Sequence, residues 1–218
     1  MPIPRHAPRV GDDLRAVDKL VPDADNEVVD VVLDGADATG ASLERVAIVR
    51  ARLTGVRMAG ASMVRSVLSD VEFVRCDLAS VDLGEATIER VSFVDCRLRA
   101  GELGRATLRS VSFADCALDE INLRHTKIDS VAFASSTMVQ ADLAAAALTE
   151  VTFEGCDVRA AEFSHVSCTR VDLRGARVED VRGANTLAGA TISPEQLVPL
   201  APALATAVGL TVRPVEQP

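Results

Sequence analysis

The sequence predicts an all-β chain wound into a quadrilateral β-helix, a square solenoid of about eight coils with twenty residues to the coil. Three observations predict it. Five of the six Phe fall at 73, 93, 113, 133 and 153, inside a recurring phrase: VEFVRC (71–76), VSFVDC (91–96), VSFADC (111–116) and VTFEGC (151–156). Steps of five from Leu33 to Val178 give thirty positions, all hydrophobic, which at the chain's 48% background has a chance of roughly 10⁻¹⁰. Two residues before each lies a second series, from Val31 and Ala36 to Ala176, whose members are small or β-branched. A period of five fits neither the ~3.6 of a helix nor the ~2.0 of a strand. A chain that points two of every five residues inward turns a corner every five residues, and four corners close a square. The Phe then stack coil over coil, about 4.8 Å apart, and eight coils from Val31 to Ala190 make a rod about 38 Å long.

The parts follow in order. Residues 1–30 form an N-terminal cap, because a stacked solenoid exposes an apolar cross-section and an unpaired edge at each end. Pro2, Pro4 and Pro8 precede DDLRAVDKL, which reads as a short amphipathic helix. Residues 31–192 are the β-helix. Its five-residue register fails at Gly183 and resumes one residue early at Leu187 and Ile192, which predicts a modified last coil. Residues 193–218 are a C-terminal helical cap and tail. Ser193, Pro194 and Gln196 give an N-cap, a first-turn proline and a capping-box partner. Leu197, Leu200, Leu204 and Val208 make an apolar stripe that Pro199 and Pro202 split into two short helices or kink.

Composition narrows the function. There is no Trp and no Tyr, so nothing stacks bases or sugars on large aromatic faces. A net charge of −9 disfavours contact with nucleic acid or anionic lipid. The N-terminus lacks the apolar stretch of a secretory signal, and no segment approaches the ~20 apolar residues that span a bilayer. A cytoplasmic protein with reduced thiols is expected. Two Lys against twenty-one Arg suit a GC-rich bacterial genome.

The segments CDLAS (76–80), VDLGE (81–85), INLRH (121–125), ADLAA (141–145) and VDLRG (171–175) resemble the A-(D/N)-L-x-x unit of pentapeptide-repeat proteins, over about 150 of the 218 residues. The resemblance implies a right-handed quadrilateral β-helix. It implies little about function, with one exception. One branch of the family mimics DNA, presents an acidic rod to type II topoisomerases such as DNA gyrase, and protects against quinolones. In that branch similar C-terminal helices build a symmetric dimer, so Leu197, Leu200, Leu204 and Val208 are a candidate dimer surface. The same stripe would equally serve to lid the rod's own core. Some members carry loops that interrupt the helix; none interrupts residues 31–180 here.

Cys76, Cys96, Cys116 and Cys156 share one inward ladder, with Ser136 in the missing place, and Cys168 holds a central core position. All read as small core residues, and no Cys-x-x-Cys pair suggests a metal. His125 and His165 share an outward column two coils apart, roughly 9.6 Å by strand spacing, too far to hold one ion. No catalytic, cofactor-binding or metal site is expected, and an accessory hydrolase or isomerase is the weakest of three readings. The charges carry more. Asp37, Arg57, Asp77 and Arg97 alternate along the axis, as do Arg50, Asp70 and Arg90, which makes salt-bridge ladders. Asp82, Glu102, Asn122, Asp142 and Glu162 form a column without a cation of its own. Its acids are the candidate partner surface, although Arg65, Glu85, Arg105, His125 and His165 run beside it. Val74, Val94, Ala114 and Ala134 add an outward apolar strip. The leading expectation is a non-enzymatic scaffold that shows a rigid face to a protein partner. The alternative is a DNA mimic that modulates DNA gyrase.

Overall fold

Every fifth residue from Asp30 to Asp180 has a positive φ, and this regular left-handed corner generates the architecture. The computed structural model describes residues 7–211 and 213. Between corners the chain is extended, and two of each five side chains turn inward. Seven eight-residue strands stack in parallel: β2 (Glu27–Asp34), β3 (Ala47–Thr54), β4 (Val67–Val74), β5 (Thr87–Val94), β6 (Thr107–Ala114), β7 (Lys127–Ala134) and β8 (Ala147–Glu154). Each bends at its fourth residue and so supplies two faces of the square. Single bridged pairs, such as Asp37 with Arg57 and Ser62 with Asp82, supply the other two.

From β2 to β8 the register is a constant twenty residues. Val71 sits opposite Val91 and Phe73 opposite Phe93. The rings of Phe73, Phe93, Phe113, Phe133 and Phe153 stack with centroids 4.8–5.1 Å apart and planes within 9° of parallel. Both inward series are buried along the rod, with Leu68, Ile88 and Leu108 fully sealed. Backbone groups pair with the coils above and below, as in Asp82 N–H to the Ala61 carbonyl and Leu83 N–H to that of Glu102. A left-handed corner occupied by Arg, Glu or Ala is unfavourable locally, and these paired carbonyls and amides hold it in place.

The rod has about nine turns, one more than the eight expected, because both ends add pairing. At the N-terminus the structure corrects the expected helix. Residues 12–20 form no helix; they bend at Asp12, Asp18 and Lys19, and β1 (Arg15–Ala16) pairs in parallel with Val31 and Val32. Helices this short are marginal in water, whereas the open edge of β2 offers hydrogen bonds at once. Val17 and Leu20 still close the apolar end, as partly buried residues on the core. Pro2 and Pro4 lie outside the described residues.

At the other end β9 (Ser167–Thr169) and β10 (Val171–Asp172) continue the stack, and β11 (Ala190–Thr191) closes it. Val171 faces Ala190, an offset of nineteen, so the slip inferred at Gly183 is real. Gly183 has φ 73°, and a Cβ there would lie 2.3 Å from the Ser164 nitrogen, so only glycine fits. The Pro194–Gln196 3-10 turn then runs into one helix, α1 (Leu197–Ala207), with Pro202 inside it. The expected split is absent. Pro199 falls in the first turn, where an N–H has no helical partner, and Pro202 forfeits a single bond.

Candidate interaction surfaces

Twenty-residue register makes residues i and i+20 neighbours, so outward side chains read as columns. On the corner column, Asp30 accepts from Arg50 at 2.8 Å, Asp70 from Arg90 at 2.8 Å, and Glu150 from Arg170 at 2.9 Å. On the next face Arg57 reaches Asp37 at 2.9 Å and Arg177 reaches Asp157 at 3.3 Å. The Arg90 guanidinium, which also meets Glu89, holds the Asp70 carboxyl below the usual carboxylate range. The Thr39 hydroxyl and N–H, followed by Arg57, hold Asp37 down to about 2. The exposed pairs among these are screened by solvent and add little to stability.

The acidic column lies as the sequence places it, with Asp82, Glu102, Asn122, Asp142 and Glu162 bridged in series. Its chemistry has a local cause. At this position of the repeat the side chain folds back to accept the N–H two residues on: Asp82 from Gly84 at 2.9 Å, Asn122 from Arg124 at 3.0 Å, Asp142 from Ala144 at 2.9 Å and Glu162 from Ser164 at 2.8 Å. Asp77, Asp157 and Asp172 do the same on other faces. A carboxylate or amide oxygen here satisfies a turn amide that the corner leaves unpaired, which is the physical reason for Asp or Asn in the unit.

Neighbours then divide the column. Arg124 donates to Asp142 at 2.9 Å, and Arg182, one rung further, donates to Glu162 at 2.8 Å. Burial works against Glu162 ionising, but the hydrogen bonds from Ser164 and Arg182 prevail and keep its carboxyl low. Glu102 accepts from the Asn122 amide at 2.6 Å. Among the described residues Asp82 and Glu102 are left as adjacent carboxylates with no guanidinium partner. Asp82 lines a shallow groove of about 500 Å³ together with Gly84, Gly104, Glu85, Arg105, Arg124 and His125. Arg65 neutralises Glu85 at 2.8 Å. The pairing of Arg124 with Asp142 was not legible in advance, because those residues are eighteen apart and meet across two columns.

The thiols have partners too. Cys76 donates to the Leu53 carbonyl at 3.3 Å, and Cys96 and Cys116 donate to those of Phe73 and Phe93 at 3.5 Å. Ser136 repeats the role by donating to Ala134 while accepting the Cys116 N–H. A small donor fits because carbonyls at these inward corners point into the core. Burial pushes the Cys156 thiol up to about 11, so thiolate chemistry at neutral pH is suppressed at that residue. His125 and His165 sit on left-handed corners two rungs apart. Among the described residues no group of three or more His, Cys, Asp or Glu is placed to hold a metal ion, and no helix is long and apolar enough to cross a membrane.

The C-terminal stripe divides. Leu200 is 2% exposed and seals the last coil. Leu197, Leu204 and Val208 reach the surface, joined by Val198 and Leu210, with Val198 79% and Val208 74% exposed. Between α1 and the last coil lies an apolar cleft of about 410 Å³, lined by Leu187, Ile192, Leu200, Leu204 and Val208 among others. From Gly183 to Leu210 the chain carries one charge, Glu195. The outward strip is less open than its composition suggests: Val94 is exposed, whereas Ala114 is buried between its neighbours.

Comparison with known proteins agrees with the repeat. Residues 106–182 match the family model described as "Pentapeptide repeat region", and residues 48–84 match "Pentapeptide repeats (8 copies)". No curated protein matches the chain. Among solved structures, a trypsin-treated variant of QnrB1, a plasmid-mediated fluoroquinolone resistance protein, is 19% identical over 86% of this chain and 90% of its own, with a TM-score of 0.44. HetL, a pentapeptide repeat protein involved in heterocyst differentiation regulation in the cyanobacterium Nostoc, is 17% identical over 75% of this chain and 86% of its own, with a TM-score of 0.28. A pentapeptide repeat protein of the Arabidopsis thaliana thylakoid lumen is 23% identical over 58% of this chain and 75% of its own, with a TM-score of 0.27. The two family models together cover more than half of the sequence, and the chain belongs to the pentapeptide-repeat family.

Proposed function

We propose that the protein is a non-enzymatic cytoplasmic scaffold that presents its rigid β-helical surface to a protein partner, as two rods joined through their C-terminal ends. The observation that carries this reading is the apolar C-terminal end described above, with its single charge at Glu195. Exposed apolar surface of that kind, on a rod whose flanks are charged and internally paired, marks a protein contact. The exposed α1 ridge and the cleft beside it offer both halves of a two-fold contact on one chain. Sedimentation of the purified protein should give a dimer at micromolar concentration, and V198E/V208E should give a folded monomer. A wild-type monomer at tens of micromolar would remove the paired-rod reading.

The partner face is the column Asp82, Glu102, Asp142 and Glu162. A second reading, that the rod mimics DNA for DNA gyrase, is favoured by the net charge of −9 and by the adjacent, cation-free Asp82 and Glu102. Gyrase supercoiling with the protein titrated in, with and without a fluoroquinolone, separates the two. Inhibition or drug protection at micromolar concentration, weakened in D82N/E102Q/D142N/E162Q, supports the mimic. No effect at tens of micromolar retires it for that enzyme and leaves the scaffold.

A further inference from the structure

Residues 7–14 do not wind with the rod; they lie along its outside. Pro8 and Val10 are partly buried while Ala7, Arg9 and Gly11 are exposed, the two-residue alternation of an extended segment resting one edge on a surface. The segment crosses rungs as it goes. Arg15 pairs with Val31 of β2. The Arg9 N–H donates to Asp70 of β4 at 3.0 Å.

Asp70 is an unusual acceptor for this surface. It is 8% exposed and already held by two Arg90 nitrogens and the Ser69 hydroxyl. It is therefore fixed in place whether or not the segment is present. What it recognises is a main-chain N–H, which any non-proline residue supplies. Among the described residues this is the single hydrogen bond that ties residues 7–14 to the rod.

We propose that the outer face running from the edge of β2 to the Asp70–Arg90 corner is a peptide-binding track that residues 7–14 occupy in cis, and that an extended segment of a protein partner takes their place. The inference rests on the scaffold reading and specifies the partner's chemistry. The occupant is extended and carries apolar residues two apart, as Pro8 and Val10 are. It offers a free N–H between them to Asp70.

The test uses the full chain and a fluorescein-labelled peptide of the segment's own sequence, Ala7 to Ala16. V10D/L14D loosens the segment without touching the rod. The labelled peptide should bind this variant about tenfold or more tightly than wild type, whose own segment competes at roughly millimolar effective concentration. Adding D70A should erase the gain, with circular-dichroism melts to verify that each variant is folded. Equal binding to wild type and V10D/L14D, or binding indifferent to D70A, overturns the track. Should the loosened variant not fold, hydrogen exchange on wild type decides instead. Excess unlabelled peptide should speed exchange at the Arg9 amide, and an unchanged rate overturns the proposal. None of these variants touches α1 or the acidic column, so a negative result leaves the scaffold reading standing on its own tests.

Discussion

Ser66 carries a buried hydroxyl that no partner answers, in an inward ladder otherwise filled by Val46, Ala86, Ala106, Thr126 and Ala146. Thr126 shows what a hydroxyl needs there: it donates to the Leu103 carbonyl at 3.1 Å. An orphaned hydroxyl in a dry core is a net loss, so Ser66→Ala should stabilise the protein by about 1 kcal/mol in a reversible urea melt. A loss of stability would show that the hydroxyl has a partner after all. Phe113 is the opposite case, stacked on both faces at 4.8 and 5.0 Å. Phe113→Ala should cost about 3–5 kcal/mol through the cavity it leaves, and a loss below about 1 kcal/mol would contradict a stacked core. Inward identity was legible in the sequence because each coil must repeat the volume beneath it. Hydrogen bonding was not. Nothing local distinguishes Ser66 from Thr126, since each looks for a carbonyl twenty-three residues away.

Gln196 shows at the scale of an element how the stack is brought to an end. Its amide nitrogen donates to the carbonyls of Leu173 and Ala176, each at 2.7 Å, and its oxygen accepts the Ser193 N–H at 2.8 Å. A side chain thus replaces the next coil. Gln196→Ala should leave the Ala176 carbonyl and the part-buried Ser193 N–H without their partner, while the Leu173 carbonyl keeps the Ala176 N–H, and should loosen the last coil by roughly 1–3 kcal/mol. Hydrogen exchange should quicken at β10 and β11 and stay unchanged at β5 and β6, because solenoid ends open independently of the centre. Uniform acceleration along the rod would refute local capping. Sequence reasoning placed Gln196 in a capping box, which is present, but missed that its amide also closes the rod. It misread the N-terminal segment for a related reason. Leu14, Val17 and Leu20 recur at helical spacing, yet the unpaired edge of β2 decides their conformation, and an edge is invisible in local pattern.

Across the whole molecule, the repeat was legible because one rule governs every coil. The candidate surfaces were only half legible. Columns such as Asp82 to Glu162 follow from counting in twenties, whereas the cross-column link of Arg124 to Asp142 depends on how far a guanidinium reaches. The surface acids therefore have two roles: one oxygen answers a turn amide, and what remains is open to solvent or to an Arg. This division explains why a column of carboxylates is tolerated at a rung spacing where like charges repel.

The constant register has a further consequence, which concerns measurement. Residues 91–110 can be removed so that Arg90 joins Val111, and the inward residues then again meet inward residues: Phe73 still lies beneath a Phe and Val71 beneath a Val. The shortened chain should fold with its melting transition intact and be one graduation shorter, about 4.8 Å, by small-angle scattering; failure to fold would show that coils are not interchangeable. Such a molecule is a ruler. The distance between its two ends can be altered in whole divisions without redrawing either end, so anything that grips both ends at once would notice a missing coil.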